Sequence, residues 1–190
     1  GAGVESTVRV APTVEAYSKA SNITAGQDVT FDAAADVRSS ADATGVSVSA
    51  AIASLAVAGA KVVSEVTPTV KAFSSEGGSI TANNLRFNSR VNTAPDGTPI
   101  RTTPAKAKVT LGSAGLAAGA AGAEVTVNDS PILETAVGSG TLVNATGDVS
   151  LRSQSFQSAD NEAIAGSGGL LAGVSVTIAD VKAGGSVKTH

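Results

Sequence analysis

Residues 21–31 read Ser21-Asn22-Ile23-Thr24-Ala25-Gly26-Gln27-Asp28-Val29-Thr30-Phe31. The same outline returns as Ser79-Ile80-Thr81-Ala82-Asn83-Asn84-Leu85-Arg86-Phe87, and again as Leu142-Val143-Asn144-Ala145-Thr146-Gly147-Asp148-Val149-Ser150-Leu151. Each copy closes on an apolar-polar-apolar triplet, the period-2 pattern of a strand with one buried face. Inside each copy sits a short run of Ala, Gly, Asn, Asp or Thr, residues that close tight turns and tolerate positive φ. Strand triplets spaced by small turns at this frequency predict an all-β protein.

Upstream of this block a second one repeats. Gly3-Val4-Glu5-Ser6-Thr7-Val8-Arg9-Val10-Ala11-Pro12-Thr13-Val14-Glu15-Ala16-Tyr17 matches Gly59 to Phe73, and Gly122 to Glu134 keeps the outline around Pro131. Pro12, Pro68 and Pro131 are spaced by 56 and 63 residues, each with a glycine nine positions earlier. A third block, Val46-Ser47-Val48, sits as far before Pro68 as Val109-Thr110-Leu111 sits before Pro131, and Gly173-Val174-Ser175-Val176 copies Gly45–Val48 letter for letter. The chain therefore reads as one continuous array, with units at about 1–44 (partial), 45–107, 108–172 and 173–190 (partial).

Structural repeats of solenoids run roughly 20–45 residues, so a unit of about 60 is expected to wind two or three coils. The expected fold is a parallel β-solenoid, a rod on the order of 30–45 Å long with open β edges at its ends. A conventional β-sandwich is the alternative. One stretch is ambiguous, because Val48, Ile52, Leu55, Gly59 and Val62 fall at helical spacing. The equivalent stretch of the next unit carries Gly112, Gly115, Gly119 and Gly122, and each Gly costs a helix roughly 1 kcal/mol against Ala. Both stretches are read as Ala/Gly-rich strand where backbones approach closely.

Composition narrows the chemistry. Among 190 residues there are 16 acidic and 13 basic side chains, no Cys, Met or Trp, one Tyr, four Phe and a single histidine, His190. Thiol nucleophiles and Cys-based metal sites are excluded, and a terminal His offers no credible Ser–His pair. A formal charge of −3 with scattered Lys and Arg gives no electrostatic reason to bind nucleic acid. No apolar run reaches the roughly eighteen residues of a transmembrane helix. The opening Gly1-Ala2-Gly3 reads as that of a mature product or excised fragment.

Asn22 to Phe31, the Ala/Gly-rich block and Gly168-Gly169-Leu170-Leu171-Ala172-Gly173-Val174-Ser175-Val176 resemble the repeat regions of very large secreted bacterial β-helix exoproteins, the filamentous-haemagglutinin-like adhesins and related leukotoxin-type giants. The resemblance covers essentially the whole chain and implies a right-handed parallel β-helix, export to the cell surface and a role in adhesion or host contact. It carries no catalytic motif over to these residues.

Candidate sites are few. Tyr17 with Phe73, and Phe31 with Phe87 and Leu151, occupy equivalent positions and are expected to be core ladders. Asp28, Asn84 and Asp148 are equivalent turn residues, expected to serve as Asx turns. Asp32, Asp36 and Asp42, like Asp160 and Glu162, are expected to lie on a solvated face. Gly166–Gly173 lacks the Lys-Ser/Thr of a phosphate loop, and no calcium-loop pattern is present. One segment breaks the repeat: residues 93–104 hold three of the six prolines. Pro95, Asp96, Gly97, Pro99, Arg101 and Pro104 are the candidate interaction residues of a stiff loop expected to project from the stack.

The expected function is that of a structural or adhesive repeat segment of a giant extracellular bacterial surface protein. It would serve as rigid spacer or filament building block, without catalysis, metal or cofactor. Expected partners are further repeats or copies end to end, and a glycan or host surface. The alternative is a glycan- or host-protein-binding module that uses the 93–104 loop. A β-helix polysaccharide lyase or hydrolase ranks last, since two convergent carboxylates are not evident.

Overall fold

A computed structural model describes residues 1–51 and 54–190. Among these the chain is all β, without helix, and its strands pair in parallel into four sheets. A first layer holds β1 (Ala2–Val10), β2 (Thr13–Thr24), β3 (Val29–Ala35) and β4 (Ser39–Ser49). The second holds β5 (Leu55–Val66), β6 (Thr69–Ala82), β7 (Leu85–Val91) and β8 (Ala105–Gly115). The third holds β9 (Ala118–Asp129), β10 (Ile132–Val137) with β11 (Thr141–Ala145), β12 (Val149–Ser155) and β13 (Ala159–Gly169). A fourth begins with β14 (Ala172–Ala183) and β15 (Ser186–Thr189). Sheet one is β1-β5-β9-β14; sheet two joins β2, β6, β10, β11 and β15; sheet three is β3-β7-β12; sheet four is β4-β8-β13.

Residues matched by the sequence repeat lie side by side in sheets one to three, whereas in sheet four Val46 faces Gly112 and Val109 faces Ala43, so the blocks Val46–Val48 and Val109–Leu111 are three residues out of register. Gly3 faces Gly59 and Gly59 faces Gly122; Phe31 faces Phe87 and Phe87 faces Leu151. The prolines mark the corner between sheets one and two. Proline has no N–H to give, yet the carbonyls of Pro12, Pro68 and Pro131 accept the N–H groups of Thr69, Ile132 and Ser186 one layer on, so the ladder runs through the corner.

Three expectations need correction. A unit does not wind two or three coils: its strands pair with the next unit at offsets of 56 residues between β1 and β5 and 63 between β5 and β9, so each unit fills a single layer. The reason is strand length, since the Ala/Gly and Thr/Ser runs carry few internal turns and extend to 12 residues in β5 and 14 in β6. Four strands at ~4.8 Å make a slab about 15 Å deep, not a longer rod. Second, the copied block Gly173–Val176 does not repeat Gly45–Val48: Val46 lies in sheet four opposite Gly112, while Val174 lies in sheet one opposite Ala120. A short Gly-Val-Ser-Val string fits any strand with an outward Val, so identity of letters does not fix phase. Third, Tyr17 and Phe73 do form a stacked ladder, with ring centroids 5.4 Å apart, but it stands on the outer surface with Tyr17 55% exposed.

Strand, not helix, is the outcome for the Ala/Gly stretches in β5, β8 and β9; Ile52 lies outside the described residues. Sheets one and four bring their Cα atoms to within 8 Å of each other, closer than the ~10 Å of ordinary stacked sheets. Small inward residues such as Ala41, Ala43, Ala58, Ala107 and Ala121 permit this. At Gly119 a Cβ would run into the carbonyl oxygen of Gly168 and approach the carbonyl oxygen of Ser113 at 3.1 Å. Gly119→Ala is therefore expected to lower stability by about 2 kcal/mol in urea unfolding, through overpacking against rigid backbone; Gly122→Ala, where a Cβ meets nothing within 4 Å, is the matched control.

The apolar interior draws on all four sheets: Val62 and Val125 from the first, Val70 and Leu133 from the second, Phe87 and Val91 from the third, Ala107 and Val109 from the fourth. Outer faces are mostly polar, with one exception. No charged residue occurs in 43–60, 109–123 or 163–179. Where sheets four and one meet, Val46, Val48, Leu55, Leu116, Leu170 and Leu171 are exposed.

Candidate functional site

The connection from sheet three to sheet four takes three residues in the first layer (36–38) and three in the third (156–158), but thirteen in the second (92–104). Its root is pinned. Asn92 is buried with φ +54, a left-handed conformation that Asn tolerates better than most residues. Its N–H donates to the carbonyl of Ala35, and its Oδ1 accepts the N–H of Val37 at 2.8 Å.

From there the chain turns back on itself. Ala94 N–H donates to Thr98 C=O at 2.8 Å, Gly97 N–H donates to Ala94 C=O at 2.9 Å, and Thr93 bridges Pro99 antiparallel. Asp96 Oδ1 accepts the N–H of Thr98 at 2.9 Å and its hydroxyl at 2.7 Å. These two donors, the amide first, hold the Asp96 carboxyl below its usual range, and Arg152 adds a smaller pull from a distance. Gly97 takes φ +94, which only glycine adopts without strain.

The loop does not project. Pro95 C=O accepts Arg152 Nη1 at 3.0 Å in the third layer, and Gly97 lies over Gln154. On the return arm Arg101 makes a bidentate pair with Asp36 of the first layer, and Pro104 C=O accepts the N–H of Ser39 at 2.8 Å. Pro95, Gly97, Arg101 and Pro104 are thus tied to the stack while Asp96 and Pro99 hold the hairpin together, and the insertion clasps the layers on either side of its own. Its exposed pairs are stabilising only weakly, by up to about 1 kcal/mol each, so the clasp positions the loop more than it stabilises the slab.

Beneath the hairpin lies a feature that reading the loop alone missed. The outer face of sheet three presents Arg86, Asn88 and Arg90 from β7 beside Ser150, Arg152 and Gln154 from β12. With Asp32 and Pro95 they line a groove of about 310 Å³. Arg86 Nη1 donates to Asp28 Oδ2 at 2.6 Å, and Arg90 binds Asp32 through Nε at 3.2 Å and Nη2 at 2.7 Å. Arg152 has no carboxylate partner among the described residues, only the Pro95 carbonyl. Gln154 Oε1 is buried and has no hydrogen-bond donor. The signal is present in the sequence: Arg86-x-Asn88-x-Arg90 and Ser150-x-Arg152-x-Gln154 fill the same outward positions once the Phe87–Leu151 alignment is extended from one residue before to three residues after.

The turn residues Asp28, Asn84 and Asp148 serve a different purpose from local Asx turns. Asp28 Oδ1 accepts from the Asn84 backbone N–H at 3.2 Å and from Asn84 Nδ2 at 2.7 Å, and Asn84 Oδ1 accepts the Asp148 N–H at 2.8 Å. The Asp28 and Asn84 side chains thereby cap the next layer, and Arg86, then Asn84, holds the Asp28 carboxyl low. Two further candidate acids face cations one layer away, Asp160 facing Lys106 at 3.8 Å and Glu162 facing Lys108 at 3.0 Å. Among the described residues no cluster of His, Asp and Glu is arranged to hold a metal ion, and no helix is long and apolar enough to cross a membrane.

Comparison of the chain with protein-family models, with curated proteins and with solved structures finds no match to any of them.

Proposed function

We propose that the four sheets close around their shared interior as a parallel β-solenoid, and that the chain is a spacer or filament segment of a larger extracellular bacterial surface protein. The observation that carries this reading is the register: equivalent residues of successive units stack as neighbours in sheets one, two and three, and sheet four pairs strand to strand with its copies three residues out of phase, so that adding units adds layers. Strands at the first and last layers keep one edge unpaired, and such edges are templates for further strands. Backbone hydrogen bonds run along the stacking direction, which makes the array stiff where load would be applied. The resemblance of Asn22–Phe31 and Gly168–Val176 to secreted β-helix exoproteins supports the surface location and adhesive role. The reading assigns no catalytic step, and the outward carboxylates of Asp28, Asp32, Asp36, Asp160 and Glu162 are engaged with cations of adjacent layers.

The test is to append two further copies of residues 74–190, which continue in phase because Thr189 stacks on Thr135 and Thr135 on Ala72, and measure small-angle scattering. The long dimension is expected to grow by ~4.8 Å for each added layer. A maximum dimension that stays constant, or a profile of beads on a flexible string, would falsify the reading. The alternative, a binding module built on the 93–104 loop, is favoured by one observation: the groove that the loop roofs.

A further inference from the structure

We propose that the groove between the 93–104 hairpin and the outer face of sheet three binds a small organic carboxylate that carries a neighbouring hydroxyl group. This rests on the loop acting as a binding element and is independent of the solenoid reading. Three arginines meet there, and two are neutralised within the protein, Arg86 by Asp28 and Arg90 by Asp32. Among the described residues Arg152 has no ion pair of its own, only a neutral carbonyl at 3.0 Å and the more distant Asp96, whose carboxylate is already engaged by Thr98. A guanidinium offers a planar fork of N–H donors that matches a carboxylate in a bidentate pair.

The second half of the recognition comes from Gln154. Its half-buried side chain lines the groove, and its Oε1 is turned inward without a donor, so rotation of the amide toward the groove gives that acceptor a partner at no loss of an existing hydrogen bond. A ligand hydroxyl beside the carboxylate supplies it. The groove volume of about 310 Å³ lies at the lower end for small-molecule sites and accommodates a hydroxy acid or a single sugar acid. No aromatic ring lines it, which disfavours flat heterocycles that would need a stacking surface. The hairpin fixes the geometry from above: a Cβ on Gly97 would reach Gln154 Nε2 at 2.6 Å and Arg152 Nη2 at 3.4 Å, so both side chains are held under the turn.

Titration of the full chain by heteronuclear NMR with D-gluconate, D-glucuronate, acetate and D-glucose tests this. Both hydroxy acids are expected to saturate with shifts centred on β7, β12 and the hairpin, and added salt weakens them. Tighter binding of gluconate marks a free hydroxy acid as the natural source, and tighter binding of glucuronate a sugar acid. Arg152→Gln is expected to weaken both by roughly tenfold, and Gln154→Ala to bring them down to the level of acetate, with unchanged circular dichroism. Should Arg152→Gln fail to fold, Gln154→Ala decides. No saturation by either acid, or unaltered binding in the folded variants, overturns the proposal. Saturation by D-glucose at the hairpin in place of the acids overturns it too, while leaving the loop as a binding element.

Discussion

Phe87→Ala is expected to remove about 4 kcal/mol of unfolding free energy, as measured by urea denaturation. Phe87 is the largest fully buried side chain, with none of its surface exposed, and it sits in the middle layer. Its ring stacks on Phe31 with centroids 4.7 Å apart and planes 6° from parallel, while Leu151 covers its other side in register. Truncation therefore loses the transfer free energy of the ring, the stacking contribution of about 1 kcal/mol and the contacts lining the void. The two adjacent layers are hydrogen-bonded to β7 on both sides and have little freedom to collapse into that void. Phe31→Ala provides the internal comparison. Phe31 is only partly buried, at the end of the stack, so about half that loss is expected. Equal losses at the two positions would show that the aromatic column is not a graded core.

That column is legible in the amino-acid sequence alone. Matching Val29-Thr30-Phe31 to Leu85-Arg86-Phe87 and Val149-Ser150-Leu151 places the three inward residues side by side, because strands pair residue by residue and a unit must stack on its copy. The Ala/Gly stretches are likewise legible as strand, since Gly119 and its neighbours destabilise a helix and suit a close backbone approach. Two things are not legible. The number of layers per unit depends on how far each strand runs before it bends, and β6 runs 14 residues through Glu76 and two positive-φ glycines with no sign that these are not a turn. Which face an aromatic occupies depends on parity from the nearest corner, and one register bulge between Lys19 and Ser21 shows how easily parity slips. The loop stands out because it interrupts the repeat; its groove does not, because the walls belong to neighbouring layers.

Asp129→Asn is expected to stabilise the protein by about 3 kcal/mol at pH 8 and to have little effect below pH 4. Asp129 ends β9 at a position occupied in the layer before by Val66 and in the layer after by Ala183, and it is completely buried. Its Oδ2 accepts the N–H of Ser158 at 2.9 Å, whereas Oδ1 has no donor at all. Burial of the carboxylate dominates over that one hydrogen bond and pushes the pKa up from 3.8 to about 6. Because the folded value lies above the unfolded one, the folded protein binds more protons between these two limits. Stability then rises as pH falls through 6, is fully gained below 3.8, and is lower by about 3 kcal/mol on the alkaline side, at ~1.4 kcal/mol per pKa unit. Asparagine keeps an oxygen for the Ser158 N–H and carries no charge, so it retains the neutral state's stability at every pH. Urea midpoints measured from pH 4 to 8 should therefore converge for the two proteins at the acid end and separate above pH 6. Parallel curves would place the Asp129 charge in contact with water, and a larger loss of stability in Asp129→Asn at pH 8 would mean that the carboxylate is paired by a cation.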